Sequence, residues 1–143
     1  ISLPKHGVLN LHSGLLPDYK GVMATFWAML NKESEIGTTL HFIEDSSIDT
    51  GSIVTTTRFP VQPDRSYLWH VLSLYEPGCA RMLETVEALD RGLALERHAQ
   101  PDRGNYFSFP DEVALTRFAK QGGRLFEPDE VLNVMRQFIA AAE

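Results

Sequence analysis

Residues 7–21 read Gly-Val-Leu-Asn-Leu-His-Ser-Gly-Leu-Leu-Pro-Asp-Tyr-Lys-Gly, an apolar run that passes into a loop rich in glycine and proline. Residues 7–12 predict a short buried strand, although a buried helix segment of this length has the same pattern. Two glycines and a proline in residues 13–21 favour a shaped loop over regular structure. The polar residues of the run therefore lie where a predicted strand ends.

The following segments predict one helix and two further strands. Residues 23–31 have the composition of a largely buried helix. Residues 37–43 and 52–61 are β-rich, and the polar loop of residues 44–51 joins them. We therefore expect an α/β fold.

Residues 67–90 predict a long helix, because their apolar positions recur with a period near 3.6. Pro77 and Gly78 lie in its middle and predict a kink or a break. Cys79 is expected to be a small buried side chain on this helix. Because it is the only cysteine, an internal disulfide is excluded, which favours a reducing, cytoplasmic setting.

The remainder of the chain predicts a loop followed by a helical tail. Residues 99–105 have a loop composition, and helix starts follow near Pro110 and Pro128. We divide the chain into residues 1–98, a catalytic half-domain, and residues 99–143, the loop and tail. The tail is expected to pack on the main body or against a partner.

The composition favours a small-molecule partner. The chain has 143 residues and a net charge of -6, without a dense Lys/Arg cluster, and this argues against a nucleic-acid surface. No stretch approaches the roughly 20 apolar residues that span a bilayer, so no membrane partner is expected.

Asn10 and His12 are the first candidate functional pair. They are two residues apart on a predicted strand, so their side chains lie on one face. Asp49, in the loop between two predicted strands, is expected to reach the same pocket. The structural alternative is that Asn10 caps a loop and His12 bonds to a backbone carbonyl.

Other histidines are weaker candidates. His6, His41, His70 and His98 lack the compact spacing of metal ligands, so no metal is assigned. His41 remains a candidate for lining the pocket, because it precedes the Asp49 loop on a predicted strand.

Three segments, residues 10–17, 19–21 and 48–51, resemble the signature of the folate-dependent formyltransferases in order and spacing. The resemblance covers residues 7–92 and implies a Rossmann-like α/β domain. It implies 10-formyltetrahydrofolate as the formyl donor and a catalytic trio of Asn10, His12 and Asp49. Implied folate-binding residues are Ser46, Ser47, Ile48 and Asp49, and the implied substrate loop consists of Ser13, Gly14, Leu15, Leu16, Pro17, Lys20 and Gly21.

Two departures from the family pattern affect these expectations. Ser13 and Gly14 stand where family members commonly have Pro-Ser or Gly-Ser. The family's N-terminal βαβ half precedes this motif, so Ile1 is expected to lie in the middle of the family domain. An incomplete sheet exposes a strand edge, so we expect a homo-oligomer or an N-terminal region outside this sequence.

The implied reaction is acyl transfer to an amine. Asn10 and His12 are suitable donors to the developing oxyanion, and Asp49 is a suitable proton shuttle. An ionised Asp49 is expected to favour the imidazolium form of His12. The acceptor is an amino sugar, an aminoacyl-tRNA or another small amine. The alternatives are a formyltetrahydrofolate hydrolase that uses water and a non-catalytic binding or assembly fragment.

Overall fold

The computed structural model describes residues 4–140 and has the expected mixed α/β composition. In chain order the elements are β1 (Val8–His12), β2 (Tyr19–Gly21), α1 (Ala24–Leu30), β3 (Glu35–Ile43), β4 (Ile53–Pro60), α2 (Tyr67–Ser73), α3 (Tyr75–Asp90), β5 (Asn105–Phe107), α4 (Glu112–Lys120) and α5 (Pro128–Ala140). Within residues 4–140, no helix combines the length and apolar composition needed to cross a bilayer.

The main sheet has the order β1-β3-β4, and both pairings are antiparallel. The central strand β3 is buried from Ile36 to Phe42, because helices α1 and α3 both pack on it. This burial explains why its sequence is almost continuously apolar or small. The register places Asn10 of β1 directly opposite His41 of β3.

The predicted helix of residues 67–90 is two helices that meet at Leu74. The predicted break is therefore present, but it lies three residues before Pro77. Pro77 lies in the first turn of α3, where its missing N–H is no loss because such groups have no intrahelical partner. Gly78 is buried, and a Cβ there would lie 3.0 Å from the Leu11 side chain, so its small size lets α3 approach the sheet.

Cys79 is exposed, so the prediction that it is buried is wrong. Successive residues on an α-helix are rotated by about 100°. Because Gly78 faces the sheet, its neighbour Cys79 is turned away from it.

The tail packs on the main body. Strand β5 pairs in parallel with β2, α4 packs on α1, and α5 packs on α2. Phe118 of α4 lies against Phe26 of α1, with ring centroids 4.8 Å apart. Glu130 of α5 accepts hydrogen bonds from the backbone N–H (2.9 Å) and the hydroxyl (2.6 Å) of Ser66. Residues of the tail thus complete part of the core.

Candidate active site

The structure brings the three candidate catalytic residues together. Strand β1 places Asn10 and His12 on one face, and Asp49 extends toward them from the β3–β4 loop. Asp49 Oδ1 lies 3.4 Å from Asn10 Nδ2, and Asp49 Oδ2 lies 3.5 Å from His12 Nδ1. Asp49 has a φ of 56°, a left-handed conformation that Asp tolerates better than most residues.

The Asp49 carboxylate is buried but well supported. Its Oδ2 accepts a 2.7 Å hydrogen bond from the backbone N–H of Gly21, and its Oδ1 lies 3.4 Å from His41 Nε2. Burial raises the pKa of Asp49, but the contacts with His41, Gly21 and His12 outweigh burial and hold the pKa below its usual value. Asp49 is therefore ionised near neutral pH.

Burial favours the neutral form of His12, whereas Asp49 acts in the expected direction, toward the imidazolium. Burial lowers the pKa of His12, and this effect outweighs the opposing effects of Asp49 and the Tyr19 carbonyl. Its Nε2 lies 2.7 Å from the carbonyl oxygen of Tyr19. Because a carbonyl only accepts, Nε2 carries a hydrogen, and Nδ1 is the ring nitrogen that faces Asp49.

His41 is a fourth member of the cluster. It is 2% exposed, and its Nδ1 donates to the carbonyl oxygen of Phe42 at 2.9 Å. Its Nε2 faces two neighbours, Asn10 Nδ2 at 3.1 Å and Asp49 Oδ1 at 3.4 Å. The Asn10 amide nitrogen faces both groups and is directed as a donor at Asp49 Oδ1, 3.4 Å away.

The predicted substrate loop divides into buried and accessible residues. Gly14, Leu16 and Pro17 are buried, Leu15, Lys20 and Gly21 are half-buried, and Ser13 is exposed. A Cβ at Gly14 would lie 2.5 Å from His12 Nε2, so glycine permits this close approach. The hydroxyl of Thr39 accepts from the Leu16 N–H at 3.1 Å and donates to the Gly14 carbonyl at 2.7 Å. The buried residues thus shape the loop beside His12.

The predicted folate-binding loop lies at the surface. Ser46, Ser47 and Ile48 are exposed, and Ile48 retains 54% of its accessible surface. The loop contains a local hydrogen bond from the backbone N–H of Ser47 to Asp45 Oδ1 at 2.7 Å. Its exposed residues are accessible to a ligand, whereas Asp49 turns inward.

Three supporting contacts were missed in the sequence analysis. The Gly21 N–H holds Asp49, the Tyr19 carbonyl holds His12, and the side chain of Gln100 bonds to the backbone of the Asp49 loop. The two backbone contacts carry no side-chain signal. Gln100 lies outside the recognised motifs, so nothing in its local sequence identifies it.

Comparison with known proteins identifies the family. Residues 1–68 match the family model described as formyl transferase. The methionyl-tRNA formyltransferase of Synechococcus sp. (strain JA-3-3Ab) is 34% identical over 92 residues, which are 64% of this chain and 28% of that protein. The chain belongs to the folate-dependent formyltransferase family. The methionyl-tRNA formyltransferase of Geobacter sulfurreducens is 33% identical over 140 residues.

The Geobacter alignment covers 96% of this chain and 42% of the relative. It therefore includes the tail, which the motif resemblance leaves out. The chain spans less than half the length of both methionyl-tRNA formyltransferases.

Solved formyltransferases have the same fold over most of this chain. An N-formyltransferase from Helicobacter canadensis, solved with folinic acid and dTDP-3-aminofucose, is 30% identical with a TM-score of 0.66, over 71% of this chain and 38% of that one. A formyltransferase from Anoxybacillus kamchatkensis, solved with UDP-4,6-dideoxy-4-formamido-L-AltNAc and tetrahydrofolate, is 25% identical with a TM-score of 0.69. That match covers 82% of this chain and 61% of the other.

Proposed function

We propose that the protein carrying this chain transfers a formyl group from 10-formyltetrahydrofolate to an amine. The observation that carries the proposal is the convergence of Asn10, His12 and Asp49 in a chain of formyltransferase ancestry. The folate co-substrate supplies the formyl carbon. The side chains of this chain bind, orient and exchange protons around it.

His12 and Asp49 are suited to accept the proton of the attacking amine. Nδ1 of His12 faces Oδ2 of Asp49 at 3.5 Å, so a proton held between the two atoms is favourable for both. A proton taken up at Nδ1 makes an imidazolium that donates to Asp49 on one side and to the Tyr19 carbonyl on the other. His12 therefore acts as a general base in this proposal, rather than as an oxyanion donor, and the same proton passes to the folate nitrogen as its bond to the formyl carbon breaks.

Asn10 is suited to stabilise the developing oxyanion. One amide hydrogen is directed at His41 Nε2 at 3.1 Å, and the other at Asp49 Oδ1 at 3.4 Å. The second distance is longer than a good hydrogen bond, so this hydrogen is available to the formyl oxygen. A preorganised donor of this kind favours the transition state because it needs little reorganisation.

The two loops are proposed to hold the two substrates. A folate has flat aromatic rings with polar edges, and the exposed Ile48 beside Ser46 and Ser47 offers an apolar contact and two hydroxyls. Ser13 and Lys20 are the accessible polar residues of the substrate loop, and Lys20 suits an anionic acceptor.

Two expectations from the sequence remain predictions. One is the division of the chain into residues 1–98 and 99–143, and the other is the cytoplasmic setting.

The acceptor is proposed to be a small amine, such as a nucleotide-linked amino sugar. The net charge of -6 disfavours tRNA, because phosphate binding depends on a concentrated positive field. The names of the sequence relatives favour aminoacyl-tRNA instead. Supplying formyl donor with either acceptor, and following formylated product by mass spectrometry, distinguishes the two.

The catalytic assignment is tested by alanine substitution in the active protein. Asn10→Ala, His12→Ala and Asp49→Ala are each expected to lower turnover by at least ~100-fold, as for other oxyanion donors and acid-base groups. His98→Ala is the control, because its imidazole is exposed. A near-wild-type rate removes that residue from the mechanism, and rapid consumption of the donor without an amine indicates a hydrolase.

A further inference from the structure

Gln100 joins the tail segment to the backbone that carries Asp49. Its Nε2 donates to the carbonyl oxygens of Asp49 at 3.0 Å and of Gly51 at 2.7 Å. His98, two residues earlier in the chain, exchanges two backbone hydrogen bonds of 2.8 Å with Ile53. These two hydrogen bonds hold the segment beside Ile53, the first residue of β4. They place Gln100 next to the loop that carries Asp49.

An amide is the side-chain chemistry that this position requires. The primary amide of Gln100 has two N–H groups, and both carbonyl oxygens can be satisfied by them. A carboxylate at the same place would repel two carbonyls. The Gln100 Oε1 is buried and has no hydrogen-bond partner among residues 4–140, so the contact with the loop is made by the nitrogen end.

The Asp49 carboxylate depends on the position of its own backbone. Residue 49 has a left-handed backbone, which is unfavourable for most residues other than glycine. A relaxation of φ would move the carboxylate away from His12 and from the Gly21 N–H. The bond from Gln100 to the Asp49 carbonyl opposes that relaxation.

We propose that Gln100 is a positioning residue for Asp49 in formyl transfer. This inference rests on the function proposed above. Gln100 does not touch the reacting atoms in this arrangement but acts through Asp49. The 99–143 segment thereby contributes to the active site, although it contains none of the recognised motifs.

The first test measures position without requiring catalysis. Gln100→Met keeps a long, unbranched side chain and removes both donors. Burial lowers the pKa of His12, Asp49 and the Tyr19 carbonyl raise it, and His41 lowers it. Displacing Asp49 is therefore expected to lower the His12 pKa further, in the same direction as Asp49→Asn, in an NMR titration of the ring C–H signals.

Gln62→Met is the matched control, because Gln62 is half-buried two residues after β4 and its backbone N–H bonds to His70. It is expected to leave the His12 titration unchanged. If Gln100→Met does not fold, Gln100→Asn replaces it, since it retains polarity but is one methylene shorter. Wild-type titration of His12 in a folded Gln100 variant overturns the proposal.

The second test measures catalysis in the active protein. Gln100→Met is expected to lower kcat by ~10-fold or more, because small displacements of a reacting group are costly, while the acceptor KM changes less than about threefold. In the Asp49→Asn background the same substitution is expected to change kcat by less than about twofold. An equal loss in both backgrounds overturns the proposal. Absence of formyl transfer by the wild-type protein refutes the function, and the NMR titration then decides the positioning role.

Discussion

Thr39→Val tests how the substrate loop is attached to the sheet. Thr39 lies on the central strand β3 and is fully buried. Its hydroxyl is bonded to both the Leu16 N–H and the Gly14 carbonyl. Valine has nearly the same shape and suits a strand equally well, so the substitution removes two hydrogen bonds with little change in packing.

The expected loss of stability is about 2–4 kcal/mol, because each buried group left without a partner costs about 1–3 kcal/mol and the loop relaxes in part. An unfolding entropy of about 2 cal/mol/K per residue converts this to a fall in Tm of roughly 7–14 °C for a chain of 143 residues. Thermal unfolding followed by circular dichroism gives Tm. Urea unfolding with an unchanged m-value confirms that native stability has changed.

Thr56→Val is the matched control for this experiment. Thr56 lies opposite Thr39 in the register of β3 and β4, and it is exposed. The same chemical change at Thr56 is expected to alter stability by less than about 0.5 kcal/mol. The reasoning is refuted if Thr39→Val unfolds within about 2 °C of the wild type, or if Thr56→Val loses as much stability.

Two further predictions concern pH and backbone strain. Burial lowers the pKa of His70, and its Nε2 accepts the Gln62 N–H at 2.9 Å, so stability is full above pH 6.5 and declines as pH falls toward the folded pKa. In His70→Gln the difference in Tm between pH 7.5 and 5.5 is expected to shrink, and an unchanged difference contradicts the assignment. Gly21→Ala is expected to cost about 1–3 kcal/mol in urea unfolding, because φ is +91° and a Cβ would collide with the Phe107 carbonyl. Gly92→Ala is the control for backbone strain alone, because Gly92 has a φ of +72° and open space around it. An equal loss of stability in Gly92→Ala contradicts a collision at Gly21.

The trio was accessible from sequence because its geometry is largely local. Asn10 and His12 share a face through the two-residue period of a strand, and this holds whatever the strand packs against. The contact of Asp49 with this pair was predicted from the order of the three motifs along the chain. The α/β class was also accessible, since the apolar patterns of the main segments differ in period.

The remaining features of the site depend on distant contacts. The bond between Asn10 and His41 requires the register of two strands 31 residues apart. The protonation state of His12 depends on burial by the rest of the fold, and burial outweighs the nearby carboxylate. The helix break at Leu74 was misplaced because Pro77 is compatible with a first helical turn.

Buried and accessible positions alternate in the substrate loop, so selection for stability and selection for binding act on different residues. Gly14, Leu16 and Pro17 are constrained by packing, so exchanges there are paid for in stability. Ser13 projects into solvent from the same rigid turn, so it can vary at little energetic cost. A descendant of this sequence can therefore alter what the loop recognises one surface side chain at a time, while the framework beside His12 stays as it is.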